Sequence, residues 1–346
     1  MSVPHLYLVD GSGYIFRAYH RLPPLTNAQG LPAGAVYGFT TMMWKLVDEL
    51  HSADGPTHMA VILDASSTTF RNAIFDKYKA NRPPPPEDLV PQFPMIRDAV
   101  RAFSIPCIEK RGYEADDVIA CYSEAALKAG WRVTIVSSDK DLMQLIRPGL
   151  DMLDTMAGRR IGRDEVIEKF GVPPEQVGEV LALMGDSVDN VPGVSGVGPK
   201  TASQLIQQFG TVEAVLAAAD TIARPKLRQS LIDHADNARL SRELVRLVCD
   251  LDLPEPLDAL TLKGRPDGPL RAFLEQQGFR SLLAKLGGGA TEAAAPLVPE
   301  AQADVPVVHK DYETVVTPDA LDRWIAEARA AGIVAVDTET DNLDCM

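Results

Sequence analysis

The chain has 346 residues, of which 46% are apolar, 24% charged and 6% aromatic. At roughly 100–200 residues per domain this allows two domains and part of a third, and the balance excludes a disordered or fibrous chain. A net charge of -14, from 34 basic and 48 acidic residues, excludes a uniformly basic nucleic-acid binder, because phosphate contacts come from Lys and Arg; any such role must rest on local clusters.

No apolar run approaches the ~20 residues that span a bilayer, so no membrane partner is expected. The amino terminus, MSVPHLYLVDG, lacks a basic leading region and is interrupted by Asp10. It reads as a first strand instead of a signal peptide, and the expected location is the cytoplasm. Four cysteines (Cys107, Cys121, Cys249, Cys345) lie far apart with no CxxC spacing, which excludes a zinc ribbon or a disulfide framework.

In chain order, residues 5–9, 59–63, 105–108 and 132–136 are short, apolar, partly β-branched runs and read as buried strands. Helical patterns at 33–51, 91–103 and 114–129 lie between them. Such alternation predicts an α/β core with a mainly parallel sheet flanked by helices, over residues 1–162. Within it, YKANRPPPPEDL (78–89) cannot continue as a helix past Arg82, because Pro83 to Pro86 fix φ and lack amide donors; a helical turn or arch leading into an exposed loop is expected. Residues 163–286 read as an all-α lobe, with helices at 163–170, 174–185, 199–208, 211–218, 224–233, 236–247, 268–277 and 280–286. Residues 287–305 are rich in Gly, Ala and Pro and read as a flexible linker. Residues 306–346 then begin a further α/β unit, with strand-like VPVVHKDYETV, a helix at 318–331 and strand-like IVAVD, and stop before a sheet is complete.

The candidate chemistry lies in carboxylates at strand and helix ends. Asp10 and Asp64 end the first two strands, Asp139 and Asp141 follow a later one, and Glu114, Asp116 and Asp117 open a helix. Asp186 and Asp189 stand at the mouth of the helical lobe. Taken singly, each reads equally well as a cap or turn residue; their coincidence at five loops changes that. In an open α/β sheet the crevice lies beyond the carboxyl ends of the strands, and two unit charges 4 Å apart repel by about 4 kcal/mol at an effective dielectric of 20. So many acids in one crevice require cations, and all-oxygen ligation selects Mg²⁺ or Mn²⁺ over zinc. Two such ions suit hydrolysis of a phosphodiester.

Two other segments carry charge or glycine in a suggestive order. FRNAIFDKYKANR interleaves Arg71, Lys77, Lys79 and Arg82 with aromatic rings, a mixture suited to phosphates and stacked bases. GVSGVGPKTASQLIQQFG combines glycines with Pro199 at a first helical position, and amides at a helix start bind phosphate without reading sequence.

VDGSGYIFRAYH, FRNAIFDKYKANR, GYEADDVIA, SSDKDLMQL and GDSVDNVPGVSGVGPKTA together resemble, in order and spacing, the 5′ nuclease domain of bacterial DNA polymerases I and the related flap endonucleases, over residues 4–286. The resemblance implies a PIN-like core with a helical arch, a helix-hairpin-helix-type lobe, and a structure-specific 5′-3′ exonuclease or flap endonuclease that works with two metal ions. It implies ligands at Asp10, Asp64, Glu114, Asp116, Asp117, Asp139, Asp141, Asp186 and Asp189. It gives Lys79 and Arg82 contact with the scissile phosphate, Tyr78 a stacking role and Arg71 a backbone contact. Ser195, Gly196, Gly198, Lys200 and Thr201 would grip duplex DNA, in a turn that in this family sometimes holds K⁺.

The implied partners are nicked, branched, 5′-flap and RNA-primed DNA, met by a monomer in the bacterial cytoplasm during primer removal and excision repair. IVAVDTET resembles the first motif of the 3′-5′ exonuclease domain that follows in these polymerases, with Asp337 and Glu339 as ligands; without the rest of that domain no such activity is expected. Two other classes compete: a metal-free module that grips branched DNA, and a PIN-type ribonuclease, for which a much shorter chain without the glycine-rich lobe is expected.

Overall fold

A computed structural model describes residues 3–49, 55–155, 157–264, 266–287 and 315–331. Residues 1–294 form one compact unit and 295–346 a second. In the second, helix Pro318–Ala331 agrees with the expected 318–331 helix. The 288–314 stretch of the expected linker and strand, the IVAVD strand, Asp337 and Glu339 lie outside the described residues.

The first unit is built on strands β1 (His5–Asp10), β2 (His58–Ile62), β3 (Cys107–Ile108), β4 (Arg132–Val136), β5 (Leu150–Asp154) and β6 (Arg159–Ile161). They form one sheet in the order β3-β2-β1-β4-β5-β6, parallel throughout except for the antiparallel β5–β6 pair. β1 is buried along its whole length, as a central strand covered on both faces must be. Winding reverses about β1, which pairs with β2 on one side and β4 on the other. The crevice of an open sheet opens at that reversal, beyond the carboxyl ends of the strands.

Helices α1 (Gly11–Arg21), α2 (Gly34–Glu49), α3 (Phe70–Ile74), α4 (Gln92–Ala102) and α5 (Ala115–Lys128) are interleaved with the strands. The pleat sends alternate residues to opposite faces, and the two cores show it. Leu6, Leu8, Ile62 and Ile135 join a core with α5 and the helical lobe. Tyr7, Val9, Val61 and Val136 join the other, with α1, α2 and α4. α1 and the β5–β6 hairpin were not expected. α1 opens on Gly-Ser-Gly, which reads as loop, and is started by Asp10, whose carboxylate accepts from Gly13 N at 3.4 Å. In β5 the apolar pattern is broken by Asp151 and Asp154.

The helical lobe holds α6 (Arg163–Phe170), α7 (Val177–Met184), α8 (Pro199–Phe209), α9 (Val212–Ala217), α10 (Pro225–Asp233) and α11 (Ala235–Val245). Its apolar residues continue the α5 core without a break, so residue 162 is not a boundary in packing. The last helices, α12 (Asp267–Gln277) and α13 (Arg280–Leu286), correct the expected lobe of 163–286. They pack in the other core with α2 and α4, pinned by Asn27 Nδ2 donating to Gln277 Oε1 at 2.9 Å and by Tyr37 and Ser281 hydroxyls at 2.9 Å. The expected helical turn leading into an exposed loop is present: residues 76–81 run as successive turns, closed by Tyr78 N donating to Phe75 O and Ala80 N to Lys77 O, and the exposed run from Pro83, which supplies no amide donors, ends them.

Candidate active site

Eight carboxylates from five loops line one cavity of about 230 Å³ at the carboxyl ends of β1, β2 and β4: Asp10, Asp64, Glu114, Asp116, Asp139, Asp141, Asp186 and Asp189. Asp10 is buried at the end of β1 and accepts from Ser137 Oγ at 2.9 Å. Asp64 accepts from Ser12 Oγ at 2.7 Å and from Ala115 N at 2.8 Å, so the positive end of α5 faces it. Asp139 accepts from Asp141 N at 2.9 Å, folding the SSDKD loop back towards the cavity.

The loop of Asp186 and Asp189 depends on two glycines. Gly185 and Gly193 have φ of +70° and +59°, and a Cβ on either would lie within 2.6 Å of the facing backbone. Their close approach lets Asp186 and Val191 exchange two backbone hydrogen bonds, of 2.9 and 2.7 Å. Asp186 Oδ1 then accepts from Val188 N at 2.7 Å, which turns the carboxylate into the cavity.

Crowding raises several of these acids. Burial, opposed by the Ser137 hydrogen bond and reinforced by Asp139 and Asp64, pushes Asp10 up to about 6. Burial and then the charges of Asp139, Asp10, Glu114 and Asp64 push Asp116 well above the carboxylate range. Asp141 rises to about 6 through burial and Asp139. Asp10 and Asp116 have only acids among the charges that shift them, whereas at Asp141 the nearby Lys140 opposes the rise without cancelling it. Elsewhere a counter-charge is present. Asp186 falls below its ordinary value although burial opposes this, because Lys140 hydrogen-bonds to it. Lys79 Nζ lies 2.9 Å from Glu114 Oε1 and 3.7 Å from Asp189 Oδ2, and Arg82 pairs with Asp189. Lys79 also has φ of +55°, a strained left-handed conformation for a side-chain-bearing residue, fixed by its amide donating to Asp189 O at 2.9 Å.

The donor set fits a hard divalent cation. Every ligand candidate lining the cavity is a carboxylate or hydroxyl oxygen, with no imidazole or thiol among them. Asp141 Oδ1 is buried and accepts no hydrogen bond. Among the described residues no three acid, imidazole or thiol side chains already stand as a finished cage.

The profile described as "5′-3′ exonuclease, N-terminal resolvase-like domain" matches residues 5–171, and the one described as "5′-3′ exonuclease, C-terminal SAM fold" matches 172–267. A 5′-3′ exonuclease of Aquifex aeolicus is 38% identical over 80% of this chain and 93% of its own length. This chain belongs to the 5′-3′ exonuclease family. DNA polymerase I of Rhizobium leguminosarum is 44% identical over 99% of this 5′-3′ exonuclease chain, which spans 40% of that polymerase. Among solved structures, one titled "Divalent metal ions (zinc) bound to T5 5′-exonuclease" is 25% identical with a TM-score of 0.58, covering 79% of this chain and 99% of that one. The catalytic core of Rad2 in complex with DNA substrate shares the fold, at 15% identity and a TM-score of 0.55, over 82% of this chain and 91% of its own.

Against the family pattern, three expected roles need correction. Asp117 is fully buried and faces away from the cavity. Its carboxylate takes Arg71 Nη1 at 2.7 Å and Nη2 at 2.8 Å, Glu114 N at 3.1 Å and Val248 N at 3.0 Å, so its lone pairs are committed. Arg71 is 1% exposed and lines the inner wall of the cavity, where it also donates to Leu244 O at 2.7 Å and Arg246 O at 3.0 Å, so its donors are committed within the protein and not to a DNA backbone. Tyr78 is 5% exposed at the cavity wall, its ring packed in the core and its hydroxyl donating to Glu114 Oε2 at 3.2 Å, an arrangement that positions Glu114 and leaves little of the ring open to a base.

In the glycine-rich turn, Pro199 opens α8 as expected. Val194 and Val197 anchor the turn in the core while Ser195, Gly196, Gly198 and Lys200 are exposed, and Thr201 lies in the first turn of α8. Missed in the sequence were Ser12 and Ser137, which orient Asp64 and Asp10, and Lys140, which sat unremarked inside SSDKD. Phe16, 42% exposed at the cavity edge, was missed too; an aromatic on the first helix of GYIFRAYH was the available signal.

Proposed function

We propose that this chain hydrolyses phosphodiesters at 5′ ends, nicks and flaps of DNA, including RNA-primed DNA, with two Mg²⁺ or Mn²⁺ ions held by the eight cavity carboxylates. The observation that carries this reading is their arrival from five loops in one cavity. Ions there would lower the pKa of a water and offset charge on the phosphate oxygens. The chain supplies the rest. Asp10 and Asp64, oriented by serine hydroxyls and by the start of α5, hold the floor of the site. Lys79 and Arg82 are paired with Glu114 and Asp189, and would exchange those partners for the scissile phosphate, stabilising the charge that develops on it. Phe16 is the exposed ring at the mouth on which a terminal base would stack.

The turn at 195–201 would grip the duplex by its backbone, with K⁺ on its carbonyls, so that selection is by shape and not by base. The relatives support DNA as the substrate over RNA alone. The setting we propose is a monomeric nuclease segment of a bacterial DNA polymerase I, acting on nucleoid DNA in the cytoplasm during primer removal and excision repair. A time course on an end-labelled 5′ flap, with Mg²⁺ and with chelator, tests it: short products should appear only with the ion. Binding of the flap without ion-dependent cutting would make the chain a binding module, and cutting confined to RNA would make it a ribonuclease.

A further inference from the structure

Lys140 lies between Asp139 and Asp141 on the loop after β4, and its ammonium reaches across the cavity. It is hydrogen-bonded to Asp186 Oδ2 and stands 3.3 Å from Asp141 Oδ1. One oxygen belongs to the sheet core and the other to the loop after α7, so a single cation ties the two halves of the carboxylate set together. The bond to Asp141 is incomplete, since Oδ1 is buried yet accepts no hydrogen bond. Lys140 is also 34% exposed, so its flexible stem has open solvent to move into.

A divalent ion held by Asp141 and Asp186 would take up the space between these carboxylates that the ammonium now occupies. The two cations cannot share that space, and there they repel strongly. Building on the two-metal reading above, we propose that Lys140 is a tethered counter-cation. It holds Asp141 and Asp186 together while no ion is bound and swings out when one enters. It is a positioning residue that acts through those two carboxylates, and it sets the affinity of one ion position while leaving the position beside Asp10 and Asp116 unchanged.

The test is a Mn²⁺ titration of the full chain, read by electron paramagnetic resonance of free Mn²⁺, with thermal melts in chelator and in Mn²⁺. The wild type should show a tighter and a weaker position. Lys140→Met should tighten the weaker one by about tenfold, the effect of one competing charge a few ångströms away in a partly solvated site. The same variant should melt lower than wild type in chelator and regain that loss in Mn²⁺. Lys140→Arg keeps the charge and should keep the weak position. Unchanged affinities, equal tightening of both positions, or a melting loss that Mn²⁺ does not repair would overturn the proposal while leaving the metal reading standing. If the wild type shows no Mn²⁺ binding that Asp116→Asn abolishes, both fail.

Discussion

Asp116 and Asp117 are consecutive residues in the first turn of α5, yet they belong to two electrostatic regions built on opposite plans. Asp117 points backward into the protein, where four donors saturate it and Arg71 neutralises it. Asp116 points into the cavity, where its neighbours are further acids and its charged form is disfavoured. About 100° of helix rotation separates them. The buried pair is a structural joint: Arg71 on α3 ties α5 to the last turn of α11 through Leu244 and to the residue just beyond that helix, Arg246. The cavity is left electrostatically unfinished, and an unfinished cluster of oxygens is what a dication completes.

The largest effect that separates the two regions is on turnover. Asp116→Asn should lower flap cleavage by roughly 10³-fold or more, because ion-borne stabilisation of the transition state is worth several kcal/mol, while flap affinity by fluorescence anisotropy persists. Turnover within a few-fold of wild type would remove Asp116 from the ligand set. Asp117→Ala should act on stability instead. Stranding Arg71 without its partner costs about 3–5 kcal/mol, measurable by urea denaturation, with Mn²⁺ affinity of the folded fraction unchanged. Asp117→Asn, which keeps an acceptor for Arg71, should lose less. If the Asn variant stays folded and loses an ion, Asp117 is a ligand after all and the contrast between the regions disappears.

How far this contrast was legible in the sequence follows from what each residue needs. Strand-end acids are legible only together: each alone would pass for a cap or turn, as Asp10 indeed caps α1, but several after buried apolar runs share one crevice, which Asp10, Asp64, Asp139 and Asp141 all enter. In EADD the residue types are identical, and only the helix phase relative to Arg71, distant in sequence, decides which acid turns inward. Arg71 and Tyr78 lie in a segment whose mixed cations and rings suit a DNA surface; their burial depends on α5 and on the 244–248 segment, which no local pattern reveals. Lys140 was hidden for the opposite reason: a lysine flanked by aspartates reads as local charge balance, whereas its partner Asp186 lies 46 residues away.

A smaller effect concerns the cations at the cavity rim. Lys79→Ala should lower turnover by more than tenfold, the loss of one well-placed charge. A change confined to the Michaelis constant would instead make Lys79 a residue of uniform binding. Its tie to Glu114 and Asp189 makes a second outcome measurable. Freed of Lys79, those acids should take up Mn²⁺ at least as tightly as before, so reduced turnover without reduced ion affinity is the expected signature.

The smallest effect is thermodynamic and bears on the cavity alone. Asp10 has its carboxyl raised from about 4 to about 6 in the folded protein by burial, so between those values the native state holds a proton that the unfolded chain releases. Its contribution favours folding fully below about pH 4 and is lost as pH rises through 6, because ionising it in the cavity costs more than ionising it in water. Asp10→Asn removes that cost while keeping an oxygen for Ser137. In chelator the variant should therefore melt higher than wild type at pH 8, by roughly a few degrees, and this margin should shrink steadily as the pH falls towards 4. In Mn²⁺ the order should reverse, since the wild type gains ion-binding free energy that the amide cannot supply. A margin that grows on acidification would mean that Asp10 is stabilised as an anion like Asp117, and the cavity would then be a second structural joint, not a site awaiting cations.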